Sequence, residues 1–321
     1  MRIAFQNVFV IYQTNHGVGR YFTVQEILHF RELQATTGAI ISGSTALQFF
    51  DRTVYADSDL DLYVQHDRSR DLALWLESIG YMFVPLENDN FNTLQMSLDK
   101  SPDFDPTDIT FDSEYCDGVI ILNFIKKDRP SIQVITSRGP AIAMVLQFHS
   151  SASFSSSSEH IYVFTRCPGC VMNFITHDKA FSIHPRATFI ERQSLVYDFS
   201  PKAFKARLKY TFRGWTQIQS PPATHITTSF SSFRRGLRRV GDRKCWTINL
   251  DPIVSSHADY ITSNTWSLQY SQTAPVFATH IWVLLKEEDI FEDTYLMDLT
   301  RYIKAQKFLA SFRQSRNHGK G

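Results

Sequence analysis

The sequence reads Ile41-Ser42-Gly43-Ser44-Thr45-Ala46-Leu47 and, after a short linker, Ser58-Asp59-Leu60-Asp61-Leu62-Tyr63. In the first stretch, an apolar run enters a Gly-Ser turn whose hydroxyl groups can cap a following helix. In the second stretch, polar and apolar residues alternate as they do along a β-strand. Together the two stretches predict a tight turn, a short helix and then a strand.

The chemistry of this pattern comes from Asp59 and Asp61. Successive side chains of a strand point to opposite faces, so both carboxylates project from one face while Leu60 and Leu62 face a core. Such a pair can hold Mg²⁺, which binds one or two carboxylates together with waters and substrate phosphates. Gly43-Ser44 adds a close backbone approach and the free N–H groups of a helix start, which favour a phosphate.

The remaining periodicity predicts an α/β protein with a mixed sheet (α+β). Helices are expected at residues 24–33, 46–50, 70–79, 141–148 and 293–312. Strands are expected at residues 59–64, 119–125, 131–136, 246–250, 265–270 and 277–285. We divide the chain into residues 1–200, with the serine-rich residues 151–169 as a flexible insertion, and a smaller strand-rich part, residues 201–321, that ends in a helix.

The composition is that of a globular protein, because 43% of the 321 residues are hydrophobic and 20% are charged. This profile excludes disordered and fibrous classes. Lys and Arg number 33 and Asp and Glu number 32, so bulk charge does not drive binding to nucleic acid or membrane. The charge is uneven, however. Residues 87–117 hold nine acids and are predicted as a solvated loop, whereas residues 186–244 hold thirteen bases.

The cellular compartment is predicted from two absences in the sequence. Four cysteines are too few for a disulfide framework in a chain of this length. No apolar run approaches the ~20 residues that span a bilayer. We therefore expect an intracellular protein, cytoplasmic or nuclear, with no membrane partner.

The two opening stretches resemble the nucleotidyltransferase superfamily of polymerase-beta type, whose signature is a glycine-serine turn, a short helix and an Asp-x-Asp strand. This resemblance covers roughly residues 24–148. More narrowly, nearly the whole chain is similar to a group of proteins from mushroom-forming fungi. The shared stretches are GSTALQFFDR (43–52), SDLDLYV (58–64), CVMNFIT (170–176) and HPRATF (184–189).

The resemblance implies a polymerase-beta-type core that transfers a nucleotidyl group from an NTP to an acceptor with Mg²⁺ or Mn²⁺. It implies that Asp59 and Asp61 are the catalytic and metal-binding residues. The nucleotide-binding residues that it implies are Gly43, Ser44, Thr45, Ser58 and Gln133.

A departure from the family pattern leaves activity open. The superfamily implies a third carboxylate on a later strand, and the inward polar position of residues 132–136 holds Gln133 instead. A neutral amide offers a carbonyl oxygen but not the charge that holds a second metal or activates a hydroxyl. Asp128 and Asp117 are the alternative carboxylates. The two hypotheses are therefore an active transferase and an inactive module that binds nucleotide or nucleic acid.

A second candidate site lies in residues 230–246, where arginine is interleaved with aromatic residues. Such a pattern can pair phosphates and stack bases, and the alternative is a solvated helix facing the acidic residues. The acceptor stays open among nucleic acid, protein and small molecule. The predicted nucleic-acid contacts are Arg234, Arg235, Arg238 and Arg239.

Overall fold

The computed structural model describes residues 12, 17–85, 93–99, 119–137, 139–147, 169–196, 201–250, 261–270, 275–280, 282–285, 295–298, 301, 304–305 and 308–309. Its helices are α1 (Val24–Thr37), α2 (Gly43–Asp51), α3 (Ser69–Ser78), α4 (Leu94–Asp99), α5 (Ala141–Gln147), α6 (Pro201–Phe212) and α7 (Ala223–Thr227). Its strands are β1 (Ile40–Ser42), β2 (Leu60–Gln65), β3 (Met82–Val84), β4 (Ile120–Lys126), β5 (Arg129–Ser137), β6 (Asn173–Ile175), β7 (Lys179–Ser182), β8 (Gln193–Leu195), β9 (Thr216–Ile218), β10 (Gly236–Arg239), β11 (Trp246–Asn249), β12 (Thr265–Tyr270), β13 (Pro275–His280), β14 (Trp282–Leu285) and β15 (Tyr295–Asp298).

A mixed sheet forms the centre of the fold. Within the described residues it has eight strands in the order β11-β7-β6-β1-β2-β5-β4-β3. The pair β2 and β5 is parallel, whereas β1 pairs with β2 and β4 pairs with β5 in antiparallel fashion. The predicted mixed α/β class is therefore confirmed.

The predicted boundary at residue 200 does not separate two sheets. Strand β11, from the C-terminal part, pairs with β7 and forms one edge of the large sheet. Arg31 of α1 is buried, and it donates hydrogen bonds to the carbonyl groups of His177 (2.8 Å) and Leu250 (2.6 Å). The two halves of the chain are thus joined by backbone pairing and by a buried guanidinium group.

Apolar side chains cover both faces of this sheet. On one face, Leu60, Leu62 and Val64 of β2 lie in a cluster with residues of α1, α2 and α3. On the opposite face, Tyr63 and Ile135 lie in a second cluster with α5 and with residues of β12. The alternation along β2 therefore separates two cores.

Local sequence signals explain where α1 begins and ends. Thr23 and Glu26 form a reciprocal capping box at its start, which satisfies two backbone N–H groups. Gly38 ends the helix with φ of 71°, a left-handed conformation that glycine adopts without a steric penalty. The hydrogen bond from the Gly38 N–H to the carbonyl of Gln34 completes this cap. The chain then turns directly into β1 and the site.

Four sequence predictions require correction. Residues 277–285 form two strands, because β13 pairs with β12 while β14 pairs with β15. The predicted helix 293–312 starts too early, since β15 occupies 295–298 and the described helical residues begin at 301. The acidic stretch includes α4, which is anchored by buried Leu94 and Leu98. The helical alternative for 230–246 is wrong, because residues 236–239 form β10 and β11 begins at Trp246.

Two further expectations concern the insertion and the membrane. Apart from residue 169, the predicted insertion 151–169 lies outside the described residues. None of the helices in the described ranges has the length and apolar content needed to cross a bilayer.

Candidate functional site

Four polar residues lie side by side across the central strands. Ser42 of β1 is the register partner of Asp61 in β2, and Asp61 is in turn the partner of Gln133 in β5. Asn123 of β4 continues the line as the partner of Gln133. Register partners share one face of a sheet. We call Ser42, Asp61, Gln133 and Asn123 the polar row, and it confirms the predicted position of Gln133 beside the carboxylate pair.

The closest approach in the site is between Gly43 and Asp61. Gly43 is the first residue of α2 and has φ of 67°. A methyl group at this position would lie 2.2 Å from Oδ2 of Asp61. Glycine is required here both for its backbone conformation and because the carboxylate occupies the space of a side chain. The turn and the acidic strand are therefore in direct contact, a closeness that the sequence prediction of one shared site did not specify.

Asp59 is held by a residue of the neighbouring strand. The hydroxyl group of Ser131 in β5 donates to Oδ1 of Asp59 at 2.5 Å. A hydrogen bond to an ionised carboxylate is among the stronger kinds in proteins. Ser131 lies two positions before Gln133, so the side chains of both residues face the carboxylate pair. Ser131 orients Asp59 while Gln133 lies beside Asp61.

The start of α2 presents its backbone without a side-chain cap. Ser42 precedes the helix, but its hydroxyl donates to the carbonyl of Asn173 at 2.8 Å and makes no cap hydrogen bond. The first N–H groups of a helix then remain available to an anion. Ser44 lies in this first turn and is buried. Gly43 and Ser44 therefore remain the predicted phosphate-binding residues.

Thr45 has a structural position in the same turn. Its hydroxyl donates to the carbonyl of Asp59 at 3.1 Å and lies 3.4 Å from the hydroxyl of Tyr21. Tyr21 also donates to the carbonyl of Ser58 at 2.9 Å. These bonds join α2 to the residues that precede β2. In the structure, Thr45 thus holds the backbone of Asp59 in place, and its hydroxyl is not in an open position toward a ligand.

Ser58 is a buried polar residue next to the carboxylates. Its Oγ atom has no hydrogen-bond partner among the described residues, and buried hydroxyl groups in proteins are nearly always bonded. The backbone around it is well held, because Arg20 donates to the carbonyls of Tyr55 (2.7 Å) and Ala56 (2.9 Å). Ser58 remains a predicted nucleotide-binding residue.

Electrostatics distinguish Asp61 from an ordinary surface carboxylate. Burial, together with the negative charge of nearby Asp59, raises the pKa of Asp61 to about 7, while Lys209 of α6 lowers it. A carboxylate whose ionisation is penalised by burial and by a neighbouring negative charge is stabilised by a bound cation. The site therefore holds negative charge in a position where a metal ion would relieve it.

The carboxylate pair fits Mg²⁺ in part. No group of three or more His, Cys, Asp or Glu side chains that could share a metal occurs in the described parts of the chain. Mg²⁺ nevertheless needs only one or two carboxylates when waters and substrate phosphates complete its shell. Asp59 and Asp61 supply the charged oxygens, and Gln133 supplies an amide oxygen beside them. The donor set fits a metal that arrives with a phosphate ligand.

The two alternative carboxylates do not extend the site. Asp128 is exposed in the turn between β4 and β5, with φ of 60°. It lies five residues before Gln133, or roughly 16 Å along an extended strand. Asp117 falls outside the described residues. Gln133 is therefore the residue that occupies the position where the resemblance implies a third carboxylate.

Two of the four arginines in this cluster, Arg235 and Arg238, are engaged in local structure. Arg238 is half-buried, pairs with Asp242 and lies 4.6 Å from the ring centroid of Trp266. Arg235 donates to the carbonyl of Tyr270 at 3.2 Å. In a strand, Arg238 and Arg239 point to opposite faces, so the four predicted residues Arg234, Arg235, Arg238 and Arg239 do not share one surface.

Sequence reasoning missed three residues of the site: Ser131, Asn123 and Lys209. Ser131 and Asn123 lie on strands in which every second residue is apolar and faces the core. Both residues lie next to such core positions, so the alternation could have indicated that they face the site. Lys209 carries no such signal. It acts electrostatically on Asp61 from α6, whose residue Tyr210 belongs to the same apolar cluster as Leu47 of α2.

Comparison of the chain with protein-family models, with curated proteins and with solved structures gave no match.

Metal binding at this site is expected to weaken as the pH falls below about 7. The carboxyl group of Asp61 is protonated below its pKa, and that proton competes with a cation. We expect the affinity for Mn²⁺ to fall by about tenfold between about pH 6.5 and about pH 5.5, and to level off above about pH 8. Electron paramagnetic resonance titration with Mn²⁺ measures this. An affinity that does not change over this range would contradict the assignment.

Proposed function

We propose that this chain transfers a nucleotidyl group from an NTP to an acceptor hydroxyl, using Mg²⁺ or Mn²⁺ held by Asp59 and Asp61 in a polymerase-beta-type core. The observation that carries the proposal is the contact between Gly43 and Asp61 at one end of the polar row. It brings a helix start suited to phosphate within side-chain reach of a carboxylate pair suited to a metal.

In this reaction the acceptor oxygen attacks the α-phosphorus of the NTP. The bond from that phosphorus to the bridging oxygen breaks, pyrophosphate leaves, and the hydroxyl proton passes to solvent. A bound metal ion supplies charge neutralisation at the phosphates. The chain supplies positioning: the hydroxyl of Ser131 orients Asp59, and Ser44 and the backbone of Gly43 bind phosphate oxygens. Phosphoryl transfer depends mainly on such positioning and charge stabilisation.

The second candidate is a module of the same fold that binds nucleotide or nucleic acid without turnover. Gln133 favours it, because an amide stands beside Asp61 where the resemblance implies a third carboxylate. Without that charge, the site has less capacity to hold a second metal ion or to activate the acceptor hydroxyl. The two candidates share the phosphate site and differ in product formation alone.

Calorimetric titration with each NTP, in Mg²⁺ and then in EDTA, combined with pyrophosphate measurement, separates these candidates. Binding in Mg²⁺ with pyrophosphate release is the expected result. Binding without release would favour the second candidate, and Gln133→Asp should then restore release because it adds the missing charge beside Asp61. The control is the Asp59→Asn and Asp61→Asn double variant. Absence of NTP binding by the wild-type chain would refute the transferase and the nucleotide-binding form of the second candidate.

A further inference from the structure

Helix α6 carries an exposed apolar ridge beside the candidate site. Phe204, Leu208 and Phe212 are spaced four residues apart and therefore share one face of the helix. Their exposed fractions are 51%, 37% and 87%. The opposite face is fixed, because Tyr210 is buried against Trp215 with ring centroids 6.2 Å apart. The aromatic rings are thus held toward solvent by a well-packed helix.

Basic residues flank this ridge, and the sequence of α6 contains no acidic residue. Lys205 and Lys209 are exposed and each follows a ridge residue by one position, so together they form a parallel stripe. Arg207 places its guanidinium carbon 5.6 Å from the ring centroid of Phe204. The exposed surface of α6 therefore combines aromatic rings with a local positive charge, although the net charge of the whole chain is close to zero. The four basic residues of the helix are Lys202, Lys205, Arg207 and Lys209.

The C-terminal end of α6 lies beside the linker that precedes the carboxylates. Lys209 acts electrostatically on Asp61 and on Asp57. Arg213, just after the helix, forms an ion pair with Asp57 at 3.0 Å and lies 3.7 Å from the ring centroid of Tyr55. A polymer bound along α6 would therefore have a short path to Asp59 and Asp61.

We propose that the exposed face of α6 binds a single-stranded nucleic acid whose 3′ end is the acceptor. Bases would stack on Phe204 and Phe212, and phosphates would contact Lys205 and Lys209. Aromatic platforms alternating with cations are the usual means of holding single strands without base reading. The two rings are separated by roughly 12 Å along the helix axis, which suits successive contacts along a strand.

The acceptor role rests on the proposed function, whereas binding to α6 does not. In the transfer, the 3′-hydroxyl oxygen forms a bond to the α-phosphorus of the NTP and its proton passes to solvent. The bond to the bridging oxygen breaks, and pyrophosphate leaves as the strand grows by one nucleotide. Charge complementarity favours this occupant, since a cationic stripe with no acidic residue on its helix faces a chain of phosphates.

The test is fluorescence anisotropy with a labelled single-stranded oligoribonucleotide of mixed sequence, in EDTA and without NTP. Phe204→Ala with Phe212→Ala is expected to weaken binding by roughly tenfold or more, because two stacking platforms are lost. Lys205→Gln is expected to reduce the slope of log affinity against log salt by about 0.7, the value for one phosphate contact on a single strand. All three substituted residues are exposed, so the fold should be unchanged.

The matched control is Phe230→Ala with Arg234→Gln, which removes an exposed ring (79% exposed) and a cation from the arginine-rich segment instead. Unchanged binding in this control, with loss in the α6 variants, is the supporting result. The proposal is overturned if the control loses binding while the α6 variants bind normally. It is equally overturned if the chain does not bind the oligonucleotide, or binds only vesicles that contain phosphatidylserine through the same residues.

A second assay separates the acceptor role from the proposed function. With NTP and Mg²⁺, the oligonucleotide should lengthen at its 3′ end, and the Asp59→Asn and Asp61→Asn double variant should bind it without lengthening. If the chain releases pyrophosphate but never extends a bound oligonucleotide, the acceptor role is overturned and the proposed function stands. If NTP is not bound at all, the proposed function fails, and the anisotropy variants still decide whether α6 binds the strand.

Discussion

Asp61→Asn is expected to make the protein more stable at about pH 8 and, at the same time, to abolish its Mg²⁺-dependent binding of NTP. The reason lies in the raised pKa of Asp61, about 7 against an ordinary value of 3.8. Above pH 7 the Asp61 carboxylate is ionised, and its charge is destabilised by burial and by the neighbouring charge of Asp59. Asparagine has nearly the same shape and removes that charge, but it cannot hold a cation as a carboxylate does.

The sign of the effect depends on pH. The folded state binds the Asp61 proton more tightly than the unfolded state, so the stability contributed by this group is present below about pH 4 and is lost as the pH rises to about 7. One pKa unit corresponds to about 1.4 kcal/mol, and partial exposure screens the charge. We therefore expect Asp61→Asn to raise the free energy of unfolding by about 2 kcal/mol at about pH 8 and by almost nothing at about pH 4.

Urea denaturation at the two pH values measures this difference, and calorimetry with NTP and Mg²⁺ measures the loss of binding. We expect an affinity at least about a hundredfold lower, because losing a charged metal ligand should cost no less than losing an outer-shell partner, which costs about 10- to 100-fold. Loss of stability at about pH 8 would show that Asp61 has a structural role. Unchanged nucleotide binding would instead show that the site is elsewhere.

Gly43→Ala is the second substitution with a large expected effect. Its methyl group would lie 2.2 Å from Oδ2 of Asp61, and its backbone has φ of 67°. The carboxylate is the end of a side chain, so it rotates away and the fold survives. We expect a loss of about 1–2 kcal/mol from the left-handed backbone and loss of measurable Mg²⁺-dependent NTP binding, because the displaced carboxylate leaves both metal and phosphate sites.

Gly241→Ala is the matched control for this substitution. Gly241 has φ of 77°, so alanine pays a similar backbone cost, but the nearest atoms to its methyl group would be at an ordinary contact distance of 3.5 Å. In urea denaturation, we expect the two substitutions to lower the free energy of unfolding equally. We expect only Gly43→Ala to lose nucleotide binding. Equal nucleotide binding by both variants would show that the contact between Gly43 and Asp61 has no role in the site.

The parts of the site that could be predicted are those governed by local periodicity. Strand alternation placed Asp59 and Asp61 on one face, and the Gly-Ser turn predicted a helix at residues 46–50, which in the structure begins three residues earlier, at Gly43. The inward polar position of β5 was likewise visible as Gln133 between apolar neighbours, and it is the register partner of Asp61. Each of these inferences depends on residues within a few positions of one another.

The parts that could not be predicted depend on contacts between distant segments. The hydrogen bond from Ser131 to Asp59 requires the parallel register of β2 and β5, which a strand pattern does not specify. Tyr295–Asp298 has a pattern compatible with a helix, but it pairs with β14 as a strand. Local propensity is a weak prior in such segments, because tertiary pairing overrides it.

The amino-acid order alone thus establishes a glycine turn followed by two carboxylates on one strand face, since backbone sterics and side-chain alternation are local properties. The chemical character of those carboxylates is a property of the folded chain. The pKa of Asp61 is raised by burial and by Asp59 and is lowered by Lys209, which arrives from a helix far along the sequence. Desolvation and Coulomb interactions act through space, so they depend on packing that is absent until the chain has folded.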